Sequence, residues 1–280
     1  MKAIKRLITG IILFLLLIAF VIVGGYIYIR SSYGIDLIKT VGQFKTLSET
    51  VDESSLCPNS FDESDMLDVQ TEVNKSAENL ITYTEENGYC VNFDNLPAEM
   101  KYIIKLSDKQ VGALADTVVV QEMDGKITLG EKQVGLKVKQ VDFSLITESD
   151  VLFNTVICLD VTSLKDDMQG FPLNYLRNYI PDNFYISSTV KVTKGSKNFS
   201  YSVTHSSLTV NNLTKDDTED LFHTLDVVFN IGSAKDLNVQ VGSALLGTLI
   251  GSDTQNGLAY SLKDIGAKDY VFLSESGLEY

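Results

Sequence analysis

A run of 23 uncharged residues, Leu7 to Ile29 (LITGIILFLLLIAFVIVGGYIYI), constrains this chain more than any other feature. As a helix rising 1.5 Å per residue it would span about 34 Å, enough for the core of a bilayer. A cleavable signal peptide carries a shorter apolar stretch followed by small residues in an A-x-A-like pattern, and neither is present here. No lipobox-like cysteine follows the run. Lys2, Lys5 and Arg6 cluster before it, whereas Arg30 follows alone, with Lys39 and Lys45 further on. Basic residues stay on the cytoplasmic side, so the N-terminus is expected inside and the remainder outside. Tyr26 and Tyr28 suit the outer interface. The expected organisation is a cytoplasmic tail and anchor over 1–33 and an extracytoplasmic domain over 34–280. That domain divides into a helix-rich part (34–100) and a sheet-rich part (101–280).

Charge narrows the partners. Four of the 23 basic residues precede position 34 and no acidic residue does, leaving 19 basic against 37 acidic residues and a net charge of −18 for the rest. Such a surface repels nucleic acid and gains nothing, taken as a whole, from anionic headgroups. Cys57, Cys90 and Cys158 cannot all pair within one chain, so a Cys57–Cys90 bridge and three reduced thiols both stay open. Cys158 lies in an apolar alternating run and reads as a buried hydrophobe.

Periodicity sets the fold class. Leu37, Val41, Phe44 and Val51 recur at helical spacing over 36–51, and Met66, Val69, Val73, Ala77 and Leu80 do so over 62–86. Tyr89, Val91 and Phe93 alternate as a short strand, and 101–106 reads as another. Ser107-Asp108-Lys109-Gln110 forms a capping box ahead of Val111, Leu114, Ala115 and Val118. From Lys126 to Val161 the period falls to two, and it does so again over 185–193 and 199–210, with Gly195 and Ser196 as a hairpin turn. Pro172 to Tyr179 is expected helical, with Pro181 stopping it. Thr214 caps a helix carrying Leu221, Phe222, Leu225, Val228 and Phe229. Leu237 to Ile250 is the last expected helix, with Gly242, Gly247 and Gly251 suited to close approach, and 258–273 reads as terminal strands. Helices first, long strands in the centre and no βαβ run predict an α+β ectodomain. Its long, curved antiparallel sheet is packed by several helices, behind the N-terminal transmembrane helix.

Catalytic signatures are sparse. There is no G-x-S-x-G elbow and no H-E-x-x-H motif. His205 and His223 are the two histidines. His205 lies beside Ser206 and Ser207 in a strand, and His223 on a helix reads as a boundary residue. The acidic groups Asp62, Glu63, Asp65, Asp68 and Asp216, Asp217, Glu219, Asp220 straddle helix starts, where carboxylates favour the dipole, and neither has EF-hand spacing. No catalytic residue, metal ligand or cofactor is assigned. The aromatic concentration Tyr175, Tyr179, Phe184, Tyr185, Phe199 and Tyr201 is the candidate lining of an apolar groove between sheet and helices, with plain core packing as the alternative.

The segments LSDKQVGALADTVV (106–119) and GFPLNYLRNYIPDNFYISSTVKV (170–192), together with the N-terminal anchor, resemble the uncharacterised YpmS-like membrane-anchored proteins of Gram-positive bacteria. The similarity covers roughly residues 100–210. More remotely, a helix followed by long amphipathic strands is similar to tubular lipid-binding folds, which implies handling of lipid or an envelope precursor. The expected function is a non-enzymatic, membrane-anchored, extracytoplasmic one, a structural or protein-interaction role in the cell envelope. Binding or transfer of lipid or another apolar ligand is the alternative, and an extracytoplasmic hydrolase is the second alternative.

Overall fold

The computed structural model describes residues 36–93, 96–129, 132–165, 177–229, 232–251, 257–273 and 277–280. The expected membrane span at 7–29 lies outside the described residues, and among these no helix is long and apolar enough to cross a membrane. The helices are α1 (Leu37–Ser48), α2 (Glu53–Leu56), α3 (Glu63–Ser76), α4 (Asp108–Met123), α5 (Thr162–Lys165), α6 (Lys215–Phe229), α7 (Ala234–Leu249) and α8 (Leu258–Leu262). The strands are β1 (Ile81–Thr84), β2 (Gly88–Val91), β3 (Lys105–Leu106), β4 (Lys126–Leu129), β5 (Lys132–Leu145), β6 (Asp150–Asp160), β7 (Asn183–Lys194), β8 (Tyr201–Val210), β9 (Val271–Phe272) and β10 (Leu278–Glu279). The class is α+β, as the periodicity predicts.

A five-stranded antiparallel meander, β4-β5-β6-β7-β8, organises the rest. Side chains alternate across its pleat, so one face collects Leu136, Val138, Phe143, Phe153, Ile157, Leu159, Ile186 and Val190, all buried. This inner face is covered by α4 over β5, by α7 over β7 and β8, and by α6 over β8. Among the described residues the outer face is mostly polar, with Leu152 half-buried on it and one apolar patch under α2. Two irregularities break the register, between Val138 and Gln140 on β5 and opposite Thr189/Val190 on β7. The Val138 N–H faces the β4 side of β5 beyond the end of β4, and the Asp116 carboxylate of α4 accepts it at 2.8 Å. A β5 amide that β4 does not reach thus becomes a fixed attachment point for the helix above it.

Local chemistry places the helix starts. Asp36 caps α1, accepting from the Ile38 and Lys39 amides. Asp62 and Asp65 form a reciprocal capping box on α3, Ser107 and Gln110 on α4, and Ser233 and Asp236 on α7. Thr214 accepts the Asp217 amide at 3.1 Å to start α6. The acidic group at 62–68 thus supplies its own cap, whereas the group at 216–220 follows the Thr214 cap, whose hydroxyl donates to Asp217 Oδ2 at 2.7 Å.

Several expectations are corrected. The helix expected over 62–86 stops at Ser76, because Asn79 adopts a left-handed φ of 63° and the Asn74 side chain brackets Ile81, accepting its N–H at 3.0 Å and donating to its carbonyl at 2.7 Å. The β-branched and aromatic run Ile81-Thr82-Tyr83-Thr84 then pairs with Gly88–Val91. Residues 258–262 are helical rather than extended, and only Val271–Phe272 of that stretch is strand. The strand expected over 101–106 shortens to Lys105–Leu106, which pairs with β10, itself paired to β9. The turn at Gly195 widens to a six-residue connection closed by Gly195 N–H donating to Ser200 O. Of the expected helix at 172–179, only Arg177–Tyr179 falls within the described residues, as a 3-10 turn.

Candidate functional site

The aromatic residues singled out from the sequence do not share one lining. Tyr175 lies outside the described residues, and Tyr179 is exposed on its 3-10 turn. Phe184 and Tyr185 are neighbours on β7 and therefore point to opposite faces: Phe184 into the inner core, Tyr185 into the outer patch. Phe199, at a left-handed φ of 58°, packs edge-on to Tyr260 at 5.9 Å between ring centres. Tyr201 is half-buried against the main core.

The apolar cleft lies elsewhere on the inner face, between α4 and α7. Leu136, Val138 and Ile157 form its floor, and Val119, Met123, Val241, Ala244, Leu245 and Thr248 form its walls. Its cavity volume is about 190 Å³. The space exists because α4 rests on β5 while α7 rests on β7 and β8, and the α7 residues facing the gap include the small Ala244 and Thr248. Glu122 is the one ionisable residue of the lining; it is exposed and stands at the mouth beside half-buried Met123 and Ala244. The Thr248 hydroxyl is occupied with the Leu245 carbonyl at 2.7 Å, so the interior offers almost no free polar group. Val241 and Leu245 already stand in the apolar stripe of the sequence, but their facing a gap depends on how two helices seat on different strands.

A polar island sits deeper, beneath α7. Ser188 Oγ donates to Asn238 Oδ1 at 2.6 Å, and Asn238 Nδ2 donates to the Thr189 carbonyl at 2.8 Å. These two bonds fix the amide orientation, so Nδ2 faces His205 Nδ1 at 2.8 Å and the imidazole proton belongs on Nε2. Nε2 is 3.8 Å from Glu219 Oε1 and has no hydrogen-bond partner. Burial and the positive charges of Lys215 and Lys235 hold the His205 pKa below its ordinary value, against the opposing pull of Glu219. The Ser188 hydroxyl is engaged by Asn238, so no nucleophile–base contact of the kind acyl transfer needs forms here. The island clamps α7 onto β7 and β8. His223 is exposed on α6.

On the outer face, Glu53 of α2 bridges Lys139 Nζ at 2.7 Å and the Tyr185 hydroxyl at 2.7 Å. Hydrogen bonds from both partners hold the Glu53 carboxyl below its ordinary range. Below it, Cys57, Cys158, Val156 and Tyr185 form a small buried cluster apart from the main core. Among the described residues no group of three or more His, Cys, Asp or Glu side chains converges as a metal-binding set. Comparison of the chain with protein-family models, with curated proteins and with solved structures finds no match.

Proposed function

We propose that this chain is a membrane-tethered, extracytoplasmic, non-enzymatic protein that holds a slender apolar ligand in the cleft between α4, α7 and the inner face of the sheet. The observation that carries the reading is the cleft itself: an apolar cavity of about 190 Å³ between α4, α7 and the inner face of the sheet. An engineered apolar cavity of about 150 Å³ stays dry and accepts benzene, so this space suits a ring or a short alkyl segment. With Glu122 at the mouth and a net charge of −18 beyond position 33, a neutral or cationic head group is favoured over a carboxylate. The uncharged run at 7–29 supports the tether, and a bilayer beside the domain would supply such ligands.

The test is titration of the full-length chain in detergent with the neutral fluorophore N-phenyl-1-naphthylamine, then displacement by octylamine, octanol and octanoate. Saturable binding is expected, with octanoate the weakest competitor, and Ala244→Phe should abolish it while leaving circular dichroism unchanged. Equal binding by Ala244→Phe would remove the cleft from consideration. A protein-docking role is favoured by a different observation: Tyr102 and Ile103 are consecutive and exposed at 66% and 57%. Substituting both by alanine should then remove a partner recovered by crosslinking in cells without changing fluorophore binding.

A further inference from the structure

We infer that Cys57 and Cys158 are the two halves of a disulfide site that, once oxidised, bolts the α2 segment to the outer face of the sheet. Both side chains are buried in the same four-residue cluster, with Val156 and Tyr185, apart from the main core. Cys158 is fixed by ladder partners on both sides, Lys137 of β5 and Tyr185 of β7. Cys57 follows the last turn of α2, outside any ladder, and is held only by local bonds: its N–H donates to the Glu53 carbonyl at 2.8 Å and its carbonyl accepts the Ser60 N–H at 3.2 Å. Release of this one turn frees it to meet the geometry a disulfide requires.

The third cysteine is excluded by topology. Cys90 lies on β2 opposite Thr82, in a hairpin tied to α4 by Gln121, which bonds the Val91 N–H at 2.7 Å and the Val91 carbonyl at 3.0 Å. Since α4 covers the inner face and Cys57 sits on the outer one, the sheet stands between Cys57 and Cys90. The Cys57–Cys90 pairing left open by the sequence does not fit this fold.

In the closed form both thiols are protected. Burial pushes the Cys57 thiol up to about 11 and raises Cys158 as well, so little thiolate is available. Reaction therefore runs through local release of the α2 segment, which is held by the Glu53 bonds to Lys139 and Tyr185 and by Asn59 donating to Gln140 and Asp142. The oxidant is a small-molecule or protein disulfide. The Cys57 thiolate attacks one of its sulfurs, forming a mixed disulfide and expelling one thiolate. The Cys158 thiolate then attacks Cys57 Sγ, closing the bridge and expelling the second. Two protein thiols lose two electrons, the oxidant becomes two thiols, and the two protons end on the expelled sulfurs.

The test treats reduced full-length protein in detergent with oxidised glutathione, alkylates it, digests it without reductant and identifies peptides by mass spectrometry. One crosslinked pair containing Cys57 and Cys158 is expected, with Cys90 alkylated, and the same bridge in Cys90→Ser. Because the bridge closes a loop of about 100 residues, Tm should rise by about 10 °C and fall back with dithiothreitol. Glu53→Gln should speed closure several-fold by loosening the segment. Oxidation during refolding from urea removes slow access as an explanation. Separately modified Cys57 and Cys158 under that condition, or Cys90 in the bridge, would overturn the assignment.

Discussion

The two faces of the central sheet are built from the same strands and held to opposite standards. On the inner face, Phe143 and Phe153 pack with their rings tilted by 38° and 4.9 Å between centres, and Val190 is fully buried under α7. On the outer face, Ser144, Leu152, Asn154 and Lys191 remain open or half-open, and the short α2 segment covers only the Tyr185 end. An antiparallel sheet tolerates this because its residues alternate, so one face can carry the core while the other meets water. Most of the burial that stabilises the fold therefore lies on the inner face, while the outer face holds the α2 segment by a few polar bonds and one small apolar cluster.

Adjacent substitutions on β6 break that comparison most directly. Phe153→Ala should cost about 3–5 kcal/mol, whereas Leu152→Ala, one residue away, should cost under about 1 kcal/mol. Urea unfolding of the two variants measures both, and equal losses would mean that Leu152 is as much a core residue as Phe153. Gly242→Ala sharpens the inner side. A methyl there would come within 2.7 Å of a Val190 methyl, and Val190 is a stiff, fully buried side chain that cannot swing away. Overpacking costs about 1–3 kcal/mol against a helix-propensity gain of about 1 kcal/mol, so a net destabilisation of up to about 2 kcal/mol is expected.

The smallest effect is pH-dependent. The folded His205 pKa lies below the unfolded value of about 6.5, so its contribution to stability is present above that pH and is lost as pH falls through the folded value. A proton on Nδ1 would also face the Asn238 donor. Asp116 acts oppositely, because burial raises its pKa and its stability term improves as pH falls towards the ordinary carboxylate range. The difference between wild type and His205→Gln isolates the histidine: the variant should lose the decline below pH 6.5 while keeping the Asp116 behaviour.

Much of the fold was legible because it rests on local rules. The Ser107/Gln110 box and the Thr214 cap are written within four residues, and the long strands announce themselves by alternation. Residues 77–86 misled because Ala77 and Leu80 are buried at helical spacing from Val73 although the helix has already ended. The contrary signal was the β-branched run at 81–84. The cleft was not legible in the same way. The aromatic cluster pointed to Phe184 and Tyr185 together, yet neighbouring strand residues cannot line one side of a sheet. The gap is instead made by Ala244 and Thr248, whose smallness matters only once α4 and α7 have seated on different strands.

The β5 irregularity between Val138 and Gln140 has a consequence for fidelity of assembly. It sets Lys139 and Gln140 in succession toward the outer face, where Lys139 meets Glu53 and Gln140 accepts the Asn59 N–H at 3.0 Å. A β5 strand paired one residue out of step would turn Val138 outward and, at the same time, lose both footholds of the α2 segment and the Asp116 bond. One extra residue therefore works as a proofreading mark: the segment can latch only onto a sheet whose strands have found their correct partners.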